Sequence, residues 1–294
     1  MFPLRMFPAC ERGDPSRSCL MLVFFPRILM FVTILIFMAC GAVAGVLAGL
    51  LGVGGGIVIV PMLDVVFTQL GYDHNVIHQL ALGTSLASIM VTSISSSRAH
   101  AKRGAVHFDI LKNITPGILI GTFLGGLVAT HLPVIFLRGF FVVFLFFVSA
   151  QMLSGYRPPA TREMPGRLGT AGVGGVIGLV SSFVGIGGGT LSVPFMTFCN
   201  VPIHHAVGTS AAIGFPIAVA GTIGYIVGGW GTPTLPSGCL GFVHLLAFAG
   251  IACVSFFTAP LGARLSHALP TSRLKKGFAC FLILVAVRML WNLF

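Results

Sequence analysis

Charge is what this sequence has least of. Only 8% of its 294 residues are charged, and six of those are acidic, against about 25% in a soluble globular domain. With a mean hydropathy of +1.01, that shortage excludes an ordinary soluble enzyme. The length leaves no room for a large soluble domain beside the apolar runs. No CxxC pair occurs. Cys10, Cys19, Cys40, Cys199, Cys239, Cys253 and Cys280 lie mostly in or beside apolar runs, where Cys acts as a small hydrophobe. Neither a disulfide framework nor a zinc site is implied. HExxH, GxSxG and acidic pairs at acid/base spacing are missing too, so no enzyme signature is present. The 17 Lys and Arg give a net charge of +11. They sit in short stretches between apolar runs, so they mark the cytoplasmic side of a membrane rather than a nucleic-acid face.

The chain does have long apolar runs, over roughly 20–51, 76–97, 110–132, 134–155, 169–186, 205–229, 239–263 and 277–294. Most reach the ~20 residues a crossing helix needs. Two more, at 56–67 and 188–199, are too short, and both follow a glycine cluster. Arg5, Arg12 and Arg17 precede the first run as they would in a signal peptide. That run is far longer than the ~7–15 residues of an h-region, so residues 1–27 read as a tail before a retained membrane segment.

The glycine clusters, GVGGGIVIVP (Gly52–Pro61) and GIGGGTLSVP (Gly185–Pro194), break otherwise helical segments. Aligned without gaps, Gly45–Leu63 and Gly178–Met196 share Gly45/Gly178, Gly52/Gly185, Gly54/Gly187, Gly55/Gly188, Gly56/Gly189, Val60/Val193 and Pro61/Pro194. Gly83-Thr84-Ser85 recurs as Gly208-Thr209-Ser210, and His131-Leu132-Pro133 is echoed at His267 to Pro270. The order argues for duplication and fusion. The expected plan is an all-α polytopic membrane protein with four parts: tail 1–27, repeat 28–155, a polar cytoplasmic linker 156–168, and repeat 169–294. Each repeat holds a glycine-broken or re-entrant helix and three or more transmembrane helices.

Cationic clusters at Arg98–Arg103, Arg157–Arg167 and Arg264–Lys276 share one side if each half has an odd number of passes. That reading makes the repeats inverted. It leaves the basic tail on the wrong side, which an extra crossing within 20–40 would repair.

Lipid offers no hydrogen bonds, so broken backbone is tolerated at membrane depth only where protein buries it or water reaches it. A half-helix starting after each break presents N–H groups and partial positive charge, which favour an anion. Glycines also let membrane helices pack tightly. The pairing of the breaks, each followed by Pro at the same spacing, favours a site. Rossmann and P-loop readings fail for want of the strand–turn–helix context and the GK[ST] ending. The candidate substrate-binding residues are therefore Gly52, Gly54, Gly55, Gly56, Gly185, Gly187, Gly188 and Gly189. The hydroxyls of Thr84, Ser85, Thr209 and Ser210 join them, although such groups also bond back to their own helix. Asp64, His78, His205 and Arg98 are candidates for coupling or gating. For the histidines a turn at the membrane surface is the plainer alternative.

The ordered set GLLGVGGGIVIVP (Gly49–Pro61), ALGTSL (Ala81–Leu86), SRAHAKRGAV (Ser97–Val106), SSFVGIGGGTLSVP (Ser181–Pro194) and AVGTSAA (Ala206–Ala212) resembles the TauE/SafE family of membrane transporters. These are also called DUF81 or sulfite-exporter-like proteins. The resemblance covers about residues 35–294. It implies movement of a small sulfur-containing anion, such as sulfite, a sulfonate or a related carboxylated compound. Nothing is carried over for His107-Phe108-Asp109. The expected function is a secondary anion transporter working by alternating access. The alternatives are an anion channel or passive pore, and a membrane-embedded enzyme. No cofactor or metal is expected. The expected partners are the anion and the bilayer of a plasma or inner membrane, a homo-oligomer being compatible with the pattern.

Overall fold

The computed structural model describes residues 15–51, 54–154, 163–268 and 271–291, and the side chains among them except those of 15–29, 51 and 266–275. Gly52, the first part of the tail and most of the linker lie outside the described residues. The order is α1 (Pro15–Leu51), α2 (Gly56–Gln69), α3 (Ile77–Ala101), α4 (Phe108–His131), α5 (Val134–Ser154), α6 (Arg167–Val184), α7 (Gly189–Phe198) and α8 (Ile203–Gly228). A two-strand hairpin follows, β1 (Cys239–Leu240) with β2 (Val243–His244), then α9 (Leu245–Ala268) and α10 (Thr271–Trp291). Among the described residues, seven helices are long and apolar enough to cross a membrane. The protein is an integral, multi-pass membrane protein.

The two short helices explain the plan. With 14 and 10 residues, α2 and α7 reach about 21 and 15 Å, well short of the ~30 Å hydrocarbon core. A Cβ on Gly55 would lie 2.7 Å from the Ala44 carbonyl oxygen, two turns back in α1. Further along, Phe67 of α2 meets Phe37 of α1 with ring centroids 6.5 Å apart. So α2 retraces α1 towards the face from which α1 came. In α7 the equivalent glycine, Gly188, lies against Ile177 and Ser181 of α6. Gly55 and Gly188 sit at the N-caps of α2 and α7 with φ of 79° and 71°, a left-handed turn that a side chain resists.

α3 and α8 are the most buried of the crossing helices. They run antiparallel. A Cβ on Gly221 would meet Leu86 at 2.8 Å, and one on Gly214 would meet Ser93 at 3.4 Å. Around them the halves interlock, since α1 packs chiefly on α9 and α4 on α6. Glycine ridges allow this approach, with Gly41, Gly45 and Gly49 against the backbone of Ile251, Ser255 and Ala259. Gly117 and Gly121 pack likewise on Ala171 and Gly175. Such small-residue seams let helices dock at backbone contact without a hydrophobic driving force.

One face of the protein carries the α2–α3 turn, the α4–α5 turn and the β-hairpin. There Gln79 donates to the Leu132 carbonyl and Tyr72 meets His244. The opposite face carries the α3–α4 turn, the start of α6, the α7–α8 turn and the end of α9. There Gly208 packs on Ala105 and Arg103 donates to the Ala263 carbonyl at 3.1 Å. Lys102, Arg103, Arg167 and Arg264 all belong to this second, basic face. The expected extra crossing within 20–40 is not seen. α1 is one continuous helix of 37 residues, running through Pro26 and Arg27 without a break.

Candidate functional site

The two breaks meet at the centre of the bundle, beside the α3/α8 crossing. A Cβ on Gly54 would lie 3.1 Å from Gly187 Cα, and one on Gly56 would lie 2.2 Å from the Gly185 carbonyl oxygen. Ser85 of α3 donates to that same carbonyl at 2.8 Å. The first turns of α2 and α7 leave the N–H groups of Gly56, Ile57, Gly189 and Thr190 without intrahelical acceptors. Pro61 and Pro194 lie one turn further along each helix. Their missing N–H groups free the carbonyls of Ile57 and Thr190.

A narrow cleft opens off this junction towards the basic face. It is lined by Ala48, Gly54, Thr92, Ser93, Ser96, Ser210, Ala211 and Gly214. The lining carries four hydroxyls and no charged side chain. Thr92 donates to the Ser88 carbonyl and shares a 2.7 Å hydrogen bond with Ser255. Ser93 and Ser210 donate to the carbonyls of Met90 and Val207. Ser96 is 2% exposed, and its Oγ has no partner. A buried hydroxyl without a partner costs free energy unless a ligand completes it. The cleft is too tight to admit a water molecule.

The sequence candidates divide. Gly54, Gly56, Gly185, Gly187 and Ser85 are at the junction, Ser210 lines the cleft, and Gly55, Gly188 and Gly189 begin the half-helices. Gly52 lies outside the described residues. Thr84 and Thr209 are not in the cleft lining. Each accepts a backbone N–H at 2.9 Å, from His244 and His107 respectively. Asp64 and His78 stand apart on the hairpin-face half of α2 and α3. Asp64 Oδ1 accepts from Arg138 at 3.2 Å and lies 3.3 Å from His78 Nδ1. The other ring nitrogen of His78 is buried without a partner. His205 packs on His107 on the basic face, and Arg98 is exposed there. Thr92, Ser93 and Ser96 are missing from the sequence reading. Their signal was the hydroxyl-rich stretch TSISSS inside an apolar helix.

On the hairpin face His244 is enclosed by Phe37, Phe67 and Tyr72. Its Nδ1 accepts the Ala247 N–H at 3.2 Å, which places the ring proton on Nε2, facing Tyr72 Oη at 3.1 Å. Burial lowers the His244 pKa. It raises that of Tyr72 and pushes the Cys239 thiol up to about 11, so all three are neutral near pH 7. Among the described residues no cluster could hold a metal ion.

A multi-pass bundle with two short half-helices meeting at its core beside a polar cleft is an arrangement that membrane transporters use, and the comparisons with known proteins place the chain among them. Residues 37–289 match the family described as Sulfite exporter TauE/SafE, and the chain belongs to that family. It is 39% identical over 261 residues to a "Probable membrane transporter protein" of Haemophilus influenzae, covering 88% of this chain and 99% of that one. It is 28% identical to the "Probable membrane transporter protein YunE" of Bacillus subtilis, over 87% of this chain and 97% of the relative. A Methanocaldococcus jannaschii relative, "Probable membrane transporter protein MJ0441", is 27% identical over 75% and 79% of the two chains. No solved structure matches this chain.

Proposed function

We propose that the protein is a secondary transporter of a small oxyanion, of the sulfur-containing kind its family is named for, and that the anion binds where the two breaks meet. The observation that carries this reading is Ser96 Oγ, buried and unpartnered in a hydroxyl-lined cleft beside the starts of α2 and α7. Hydroxyl donors and the N–H groups of helix starts suit an anion whose oxygens accept several hydrogen bonds.

The halves of this reading, 28–155 and 169–294, are inverted repeats. The support is the antiparallel α3/α8 pair and the exchange of packing between α1·α9 and α4·α6. With the basic face cytoplasmic, alternating access moves one half against the other. Asp64, held by Arg138 and His78, is the candidate coupling group of this reading. The test is ligand-induced stabilisation of the purified protein. A ligand that binds only the folded state raises its stability by about 2.7 kcal/mol at 100 times Kd. Sulfite or a short alkylsulfonate is expected to raise the thermal midpoint, and Ser96→Ala to reduce the shift. If no sulfur oxyanion moves the midpoint, this substrate class is wrong.

A further inference from the structure

The Gly-Thr-Ser motifs are equivalent in the two halves, and so are the bonds their threonines accept. Thr84 Oγ1 takes the His244 N–H at 2.9 Å, and Thr209 Oγ1 takes the His107 N–H at 2.9 Å. His107 is the N-cap residue of α4, and His244 stands immediately before α9. Each histidine thus introduces the fourth helix of its half. Each bond crosses between halves, first-half Thr84 to second-half His244 and second-half Thr209 to first-half His107. The rings repeat the exchange. His244 stacks on Tyr72 of the first half, centroids 5.9 Å apart. His107 packs on His205 of the second half, centroids 4.6 Å apart.

The Thr84–His244 clasp lies on the hairpin face and the Thr209–His107 clasp on the basic face, with the cleft between their levels. Both are made, and the cleft is too tight to admit a water molecule. Each clasp ties a core helix to the loop entering a helix of the opposite half, where relative motion of the halves is felt first. Each is one neutral hydrogen bond at a loop end. Opening hands its N–H and hydroxyl to water, so the bond is reversible at small net cost.

We propose that these two clasps are the gates of the transporter. Release of Thr209–His107 opens the cleft to the basic face, and release of Thr84–His244 opens the centre to the hairpin face. The proposal rests on the transporter reading above. It makes Thr84 and Thr209 positioning residues, acting through the loops they hold. The gates are unequal. His244 is 5% exposed beneath Phe37 and Phe67, whereas His107 is exposed. The basic-face gate is the looser one.

The test needs no substrate. Ser96→Cys is introduced into the full chain, and purified protein is treated with a polar maleimide. Modification of residue 96 is followed by mass spectrometry. Thr209→Val removes the acceptor and is expected to speed labelling roughly two- to tenfold, the population shift one such bond commands. Thr209→Ser restores the hydroxyl and the parental rate. His107→Pro deletes the donor itself at a φ of −87°, near the proline range. It is expected to act like Thr209→Val, and to add nothing in the double variant. Thr84→Val leaves labelling unchanged or lowers it. Equal acceleration by Thr84→Val and Thr209→Val overturns the proposal, as does no change in either Thr209→Val or His107→Pro. Because labelling is read without an anion, failure of the gates is separable from failure of the oxyanion reading, which shows instead as no ligand-induced stabilisation of the parent protein.

Discussion

A Cβ placed on Gly56 would sit 2.2 Å from the carbonyl oxygen of Gly185. The break of one half is therefore closed against the break of the other, backbone to backbone. That contact turns two interrupted helices into one central junction, and it explains why glycine stands there on both sides.

Gly56→Ala is expected to force the junction apart, since the atom it meets is backbone and has no rotamer to yield. Overpacking of this kind costs roughly 1–3 kcal/mol. The thermal midpoint should fall and transport should be lost. Gly172→Ala is the control, because a Cβ there meets nothing within 4 Å. A midpoint fall in Gly172→Ala equal to that in Gly56→Ala would contradict the packing account.

Ser96→Ala should separate function from stability. Ser96 Oγ has no partner in the protein, so removing it breaks no bond, and the thermal midpoint should hold or rise slightly. Losing one donor to a bound anion should raise the apparent KM roughly tenfold. Initial-rate measurements over a range of substrate concentration check this.

Asp64→Asn should leave the Arg138 guanidinium without its counter-charge. Both side chains keep some exposure, 15% and 17%, so the expected cost is about 3 kcal/mol, the low end for breaking a buried pair. The double variant Asp64→Asn/Arg138→Gln should recover most of that stability. If Asp64 couples transport to protons, flux driven by a pH gradient stays lost in the double variant. Recovery of flux with stability would make the cluster purely structural.

His244 gives the hairpin face a pH dependence. Its folded pKa is depressed by burial, so protonation is easier in the unfolded chain, where the value is about 6.5. The stability it contributes is present above that value and is lost as pH falls below it. Thermal melts from pH 7.5 to 5 should therefore fall more steeply for the parent than for His244→Gln. Parallel curves would show that His244 does not carry the effect.

Much of this was legible in the sequence because it was written twice. The twin glycine clusters, their prolines and the short apolar runs after them announced the breaks and the short helices α2 and α7. The basic clusters at Arg98–Arg103 and Arg264–Lys276 announced the basic face. Other features depend on distant partners. Nothing local in Asp64 or Arg138 shows that α2 and α5 bring them within 3.2 Å. The hydroxyls of Thr92, Ser93 and Ser96 look in sequence like any helical hydroxyls bonded to their own carbonyls. Only the burial of Ser96 without a partner sets it apart. Repetition alone makes Thr84 and Thr209 ligand candidates. Their bonds to His244 and His107 arise from the swapped packing of the halves, which periodicity does not encode.

The central claim is that a small oxyanion is carried through the junction of the paired breaks. Uptake of radiolabelled sulfite and of a short alkylsulfonate into proteoliposomes tests it directly, with the parent chain and Ser96→Ala side by side. The account predicts saturable uptake well above protein-free vesicles, and a higher KM in Ser96→Ala. Uptake no greater than in protein-free vesicles for both anions, or saturable uptake with an unchanged KM in Ser96→Ala, would contradict it.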